Sequence, residues 1–101
     1  MRLIITPRAQ AQIDHQIEYG ITRYGRQTSE RTFARVERFL TESLAVFPRA
    51  GTLLPDVGLF QTIVPRTPFV VIYRIEDQHD IVRVLGFFHY AQDQTKFDPD
   101  E

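Results

Sequence analysis

Four side chains in the second half of this chain have the types that phosphate and proton-transfer chemistry requires: Arg66, Arg83, His89 and Tyr90. Cleavage of RNA through its own 2′-hydroxyl needs a proton acceptor, a proton donor for the leaving oxygen, and cations on the phosphate. Histidine, tyrosine and arginine can fill those places. Arg83 lies within the apolar run Ile81-Val82-Arg83-Val84-Leu85, and His89-Tyr90 follows where that run gives out. The four residues could therefore converge at one end of a sheet. Each also has a structural alternative. A polar residue where a strand ends is commonly a solvated terminus or a backbone hydrogen-bond partner. An arginine inside an apolar strand meets either a cross-strand acid or the phosphate or carboxylate of a partner. A further set, Arg31, Arg35 and Arg38, repeats like charge at i, i+4 and i+7 on one helical face. It is either a solvated face or a landing strip for an acidic partner.

Other chemistries are excluded or unsupported. The absence of cysteine removes disulfides, thiol nucleophiles and cysteine zinc sites. No G-x-G-x-x-G, G-x-x-x-x-G-K-[ST] or H-E-x-x-H pattern occurs. His15, His79 and His89 fall on different elements, so no metal site is expected of them. Residues 1–50 carry eight basic and five acidic side chains, and residues 51–101 carry four and eight, for a net charge of −1. Eleven of the twelve basic residues are arginine, with Lys96 the exception. Arginine suits carboxylate and phosphate recognition but cannot accept a proton at neutral pH. The balance is not that of a strongly basic DNA-binding domain. No apolar run approaches the roughly 20 residues of a membrane helix, so no membrane partner is expected and the cytoplasm is the expected location.

The elements that must position these residues read clearly. At 101 residues one domain is expected, residues 1–97, with an acidic tail at 98–101. Met1 to Thr6 reads as a short strand, with Thr6 as N-cap and Pro7 at the first helical position. Ala9, Ile13, Ile17, Gly20 and Tyr24 then mark one face of a helix ending near Gly25, with His15, Tyr19 and Thr22 opposite. A second helix is predicted from Thr28 or Ser29, with Glu30 in its first turn. Its apolar stripe is Phe33, Val36, Leu40, Leu44 and Phe47, gathered within about 80°. Pro48-Arg49-Ala50-Gly51 reads as a turn and residues 52–57 as irregular. Strands are predicted at Leu59 to Val64, Phe69 to Ile75 and Ile81 to Phe88, the last two joined by a hairpin turn over Glu76 to Asp80. The order is β-α-α-β-β-β, an α+β domain with a helical hairpin packed on a twisted antiparallel sheet. The central strands are apolar on nearly every residue. One face takes the helices, and the other is expected to be partly open, which implies a partner.

This arrangement resembles the RelE/ParE toxins of bacterial type II toxin-antitoxin systems, often called plasmid stabilisation proteins. The resemblance rests on the element order, Tyr24-Gly25, Pro48-x-x-Gly51, the run Phe69-Val70-Val71-Ile72-Tyr73-Arg74-Ile75, and Ile81-Val82-Arg83-Val84-Leu85 followed by His89. It spans about residues 1–93. It implies a cognate antitoxin whose C-terminal segment folds as it wraps the toxin, a resting toxin-antitoxin hetero-oligomer, and no cofactor or metal. RelE-like members are ribosome-dependent mRNA endoribonucleases, whereas ParE-like members poison DNA gyrase and are not known as enzymes. The RelE-like arginine three residues before the strand tyrosine is Val70 here, and residues 40–75 contain no lysine. His89-Tyr90 is similar to the His-Tyr end of one nuclease branch. The [VI]-[VI]-x-Tyr-Arg-[VI] strand and the Tyr24-Gly25 pair are closer to ParE. The resemblance therefore implies a ParE-like gyrase inhibitor, with a RelE-like nuclease or a non-toxic antitoxin-binding member as alternatives. Arg31, Arg35 and Arg38 are its expected antitoxin contacts. Arg66, Arg83, His89 and Tyr90 are its expected target contacts, and would be catalytic in a ribonuclease.

Overall fold

The computed structural model describes residues 1–91; the acidic tail lies outside the described residues. The chain runs through β1 (Arg2–Ile5), α1 (Pro7–Tyr24), α2 (Arg26–Arg38), β2 (Thr52–Leu54), β3 (Leu59–Ile63), β4 (Phe69–Glu76) and β5 (Ile81–His89). The five strands form one sheet in the order β1-β5-β4-β3-β2.

Thr6 caps α1 as expected: its Oγ1 accepts the Ala9 N–H at 3.1 Å, with Pro7 next in the chain. Gly25, at φ 93°, then serves both helices. Its N–H donates to the Ile21 carbonyl and its own carbonyl accepts from Ser29 N–H, so the hairpin turns on a single residue. For that reason α2 begins at Arg26, earlier than the predicted Thr28 or Ser29. Ser29 is not a cap but a buried contact, donating through Oγ to the Ile17 carbonyl at 3.2 Å. Opposite it Gly20 allows the close crossing, because a Cβ there would lie 2.9 Å from Ser29 Oγ.

Beyond Arg38 the helix widens into a π-type turn over Phe39–Leu44. Ala45 N–H reaches back five residues to the Leu40 carbonyl. Leu40 and Leu44 are buried, but Phe47 is 68% exposed, since the chain has left the helix axis before reaching it. Tyr24 is likewise 64% exposed, on the last turn before Gly25 redirects the chain. Both were expected on apolar stripes. Periodicity carries a stripe onward past the point where the helix leaves the core.

The sheet departs from expectation in two ways. Residues 52–57 were expected to be irregular, yet Thr52–Leu54 pairs antiparallel with Leu59–Gln61 as the edge strand β2. Three residues are too few for a period-2 signal, and β3 supplies the hydrogen bonds. The sheet is also mixed rather than wholly antiparallel, because β1 runs parallel to β5, from Arg2 beside Ile81 to Ile5 beside Val84. The helical hairpin delivers the chain to the far edge, and three antiparallel steps return it alongside β1 in β1's own direction.

Residues Ala9, Ile13, Val36, Leu40, Val71, Tyr73, Val82 and Val84 form the core between helices and sheet. The Phe69 and Phe87 rings stack within it at 4.9 Å. A bulge on β5 opposite Ile72 and Tyr73 shifts the alternation, so that Phe87 follows Val84 on the helix side. There Gln12 Oε1 accepts the Phe87 N–H at 2.9 Å. The opposite face, expected to be partly open, is closed at its centre: Leu59, Val70, Ile72, Leu85 and Phe88 are buried together. Leu54, from the strand that was not foreseen, packs against them.

The Tyr73 hydroxyl donates to the Pro48 carbonyl at 2.6 Å. A Cβ on Gly51 would overlap that hydroxyl and lie 2.8 Å from the Gln61 carbonyl oxygen. Pro48-x-x-Gly51 and the β4 tyrosine are thus one structural unit that pins the end of the helical segment to the sheet.

Candidate functional site

The strand residues separate into two ends. β5 runs from Ile81 to His89, and Arg83 and His89 are six residues apart, about 20 Å along a strand. Arg83 shares a face with Ile81 and Leu85, as expected, and stands directly opposite Arg74 on β4. Two guanidinium groups so placed would repel, but Glu76, two residues along β4 on the same face, binds both. Its Oε2 accepts from Arg83 Nε at 2.5 Å and from Arg74 Nε and Nη2 at 3.2 and 3.1 Å. The Arg83 hydrogen bond, helped by Arg74 and opposed by desolvation, lowers the Glu76 pKa from 4.5 to about 2. The cross-strand acid of the structural alternative is therefore present.

The other end holds Arg66, His89 and Tyr90. The Tyr90 N–H donates to the Pro68 carbonyl at 2.7 Å, tying the end of β5 to the loop between β3 and β4. His89 meets Phe69 edge-on at 6.1 Å and stacks on Tyr90 at 5.0 Å. Its Nδ1 accepts the Ala91 N–H at 3.1 Å, which assigns the ring proton to Nε2. Tyr90 is 62% exposed. The loop is knitted by Thr67, whose N–H and hydroxyl both donate to the Val64 carbonyl. Arg66, exposed at its apex, has φ 63°. With Pro65 before it, the turn follows the type II pattern, whose third position favours glycine or asparagine. An arginine is held there in the left-handed region, so backbone strain coincides with an exposed cation at the same end of the sheet as His89 and Tyr90.

The helical hairpin carries a third region. A cleft of about 550 Å³ opens between α1, α2 and β1, its apolar floor formed by Leu3, Ile5, Ile13, Ile17, Phe33 and Leu40. Among the described residues β1 is an edge strand, with β5 on one side only. Glu30 and Glu37 of α2 also line the cleft. Arg31, Arg35 and Arg38 are exposed as predicted, with no ion pair among the described residues, but they do not line it. They stand roughly 115° around α2 from the two glutamates. By sequence alone Glu30 is a favourable first-turn acid and Glu37 carries no assigned role. Their seven-residue spacing was the available signal, since it places both on one line of a helix. Among the described residues no cluster of three His, Asp or Glu could hold a metal ion, and no helix is long and apolar enough to cross a membrane.

Comparison with known proteins agrees with this architecture. A chain of a chromosomal ParDE TA system from P. aeruginosa superposes with a TM-score of 0.66 at 18% identity, covering 88% of this chain and 95% of that one. A chain of the RelBE2 toxin-antitoxin complex of Mycobacterium tuberculosis gives 0.65 at 24%, covering 90% and 92%. The isolated E. coli RelE toxin gives 0.56 at 14%, covering 93% and 88%. At these identities the likeness establishes the shared fold. Among curated proteins none matches the chain in sequence. Residues 3–94, however, match the family described as the ParE toxin of type II toxin-antitoxin system, parDE. That match takes in both helices and all of the sheet but Arg2, and this chain belongs to the ParE toxin family, within the RelE/ParE superfamily of type II toxins.

Proposed function

We propose that this toxin acts by binding rather than by catalysis, that its target is DNA gyrase, and that an antitoxin seated in the hairpin cleft neutralises it. The observation that carries the reading is the separation of the candidate residues. Of the two arginines considered for a phosphate, Arg83 is held by Glu76 at the opposite end of β5 from His89 and Tyr90. The position where a RelE-like nuclease carries an arginine is Val70, buried within the apolar face. A general base must lie within hydrogen-bond reach of its proton, with the phosphate cations close by. This arrangement takes Arg83 away from that end and leaves Arg66 as the one of those two arginines near His89 and Tyr90. It favours a contact surface made of Arg66, His89 and Tyr90.

Antitoxin seating draws support from the cleft itself, an apolar floor beside an edge strand, and from the toxin-antitoxin systems in which the P. aeruginosa and M. tuberculosis neighbours occur. The test is induced expression in a bacterial host carrying a DNA-damage reporter, with and without the neighbouring gene. Growth arrest with the reporter on, relieved by the neighbour, is the expected result. Arrest with the reporter silent and mRNA cut in a ribosome-dependent manner would replace this reading with the nuclease one. No arrest, with binding to the neighbour's product retained, would identify a non-toxic member.

A further inference from the structure

The polar groups around the hairpin cleft are not equivalent. Gln10 donates to Asp14 at 2.9 Å, Thr41 to the Glu37 carbonyl at 2.9 Å, and Ser29 to the Ile17 carbonyl at 3.2 Å, so each is satisfied within the hairpin. The Glu30 and Glu37 carboxylates are exposed and have no hydrogen bond or ion pair among the described residues. Among the described residues they are also the charged groups in the cleft wall, and none of the basic ones lines it. The charges that line the cleft are thus both negative, although the same helix carries three arginines on another side.

We propose that Glu30 and Glu37 select the antitoxin segment that fills this cleft: an amphipathic helix alongside α2 with two basic side chains about seven residues apart. The inference rests on the antitoxin reading above and specifies its chemistry. Seven residues of α2 advance about 10.5 Å with a net rotation of only about 20°, so the two carboxylates lie in line along the cleft. A helical partner repeats a residue on one face at that same spacing. A strand repeats a face near 6.6 or 13.2 Å and matches it poorly. Apolar residues at three- and four-residue steps between the basic pair would cover Ile13, Ile17 and Phe33. The occupant differs from the acidic segment expected for the arginine stripe, because the stripe faces away from the cavity that a folded segment would fill.

The experiment measures the affinity of the neighbouring gene's product for the wild-type chain, for Glu30→Lys/Glu37→Lys and for Glu30→Gln/Glu37→Gln. Both glutamates are exposed, and circular dichroism checks that each variant folds. Charge reversal is expected to weaken binding roughly tenfold or more, and the glutamine pair to weaken it less, because reversal converts attraction into repulsion at two points. Reversing the antitoxin's two basic residues to glutamate should restore binding to the lysine variant. Unchanged affinity in a folded lysine variant, with neutralisation intact, overturns the proposal while leaving the antitoxin reading standing. If the neighbour's product neither binds nor neutralises the wild-type chain, the antitoxin reading itself fails and this proposal with it.

Discussion

The hairpin cleft and the Arg74–Glu76–Arg83 cluster treat charge in opposite ways. In the cluster each charge has its partner within the chain, and the Glu76 side chain is only 17% exposed. In the cleft the carboxylates of Glu30 and Glu37 stand beside apolar surface with no partner among the described residues. Charge satisfied in cis chiefly holds two strands in register. Charge left unsatisfied at the mouth of an apolar cleft is available to a second chain, where it contributes to partner selection more than to stability. Substitutions in the two regions should therefore separate, with the cluster changing folding and the cleft changing binding.

The largest effect is expected from the cleft floor. Ile17→Asp places a charge on the apolar surface where the antitoxin is proposed to sit, and affinity measured by calorimetry should fall by about 100-fold, roughly 2.7 kcal/mol. A native-like affinity would show that the antitoxin is seated elsewhere. Next, Tyr73→Phe leaves the buried Pro48 carbonyl without its donor, at a cost of about 1–3 kcal/mol in denaturant unfolding with antitoxin affinity little changed. That variant tests whether core damage stays separate from the cleft.

Arg66→Gly should act in two directions. Relief of the left-handed strain is expected to stabilise the fold by about 1 kcal/mol, while loss of the cation is expected to weaken the toxicity proposed for this surface. A variant that is both more stable and fully toxic would remove Arg66 from the target surface. Glu76→Gln addresses the cluster through pH. Because the folded pKa of Glu76 is depressed to about 2 from 4.5, its contribution is fully present above about pH 4.5 and is lost as pH falls toward 2. Thermal melts of the wild type should lose stability through that window more steeply than those of the glutamine variant, and parallel curves would mean that the ion pairs contribute nothing. Smallest of all, Arg31→Glu/Arg35→Glu is expected to change antitoxin affinity only a few-fold. A loss larger than that of the Glu30/Glu37 reversal would invert the proposed geometry and return the arginine stripe to the interface.

Much of the architecture is written in local patterns. The Thr6-Pro7 start, the Gly25 break, the stripe through Val36, Leu40 and Leu44, and the two β-branched central strands all follow from neighbours within a few residues, where periodicity and capping act. So does the resemblance to RelE/ParE toxins, which depends on the order of those same elements. Other features arise from contacts distant in sequence. β2 exists because β3 pairs with it. β1 is parallel to β5 because the hairpin sets the chain down at the far edge. Ser29, a plausible cap by type, is buried because Gly20 lets α1 come close. Gly51 is required by the hydroxyl of Tyr73, 22 residues away. The same division runs through the candidate sites. Residue types alone brought forward Arg66, Arg83, His89 and Tyr90, but only the sheet places Arg83 against Glu76 and about 20 Å from His89. Likewise, the sequence by itself puts Glu30 and Glu37 on one line of a helix. Only the packing of α1, α2 and β1 turns that line toward an apolar cleft and the arginines away from it, because the facing of an amphipathic helix is decided by what it packs against.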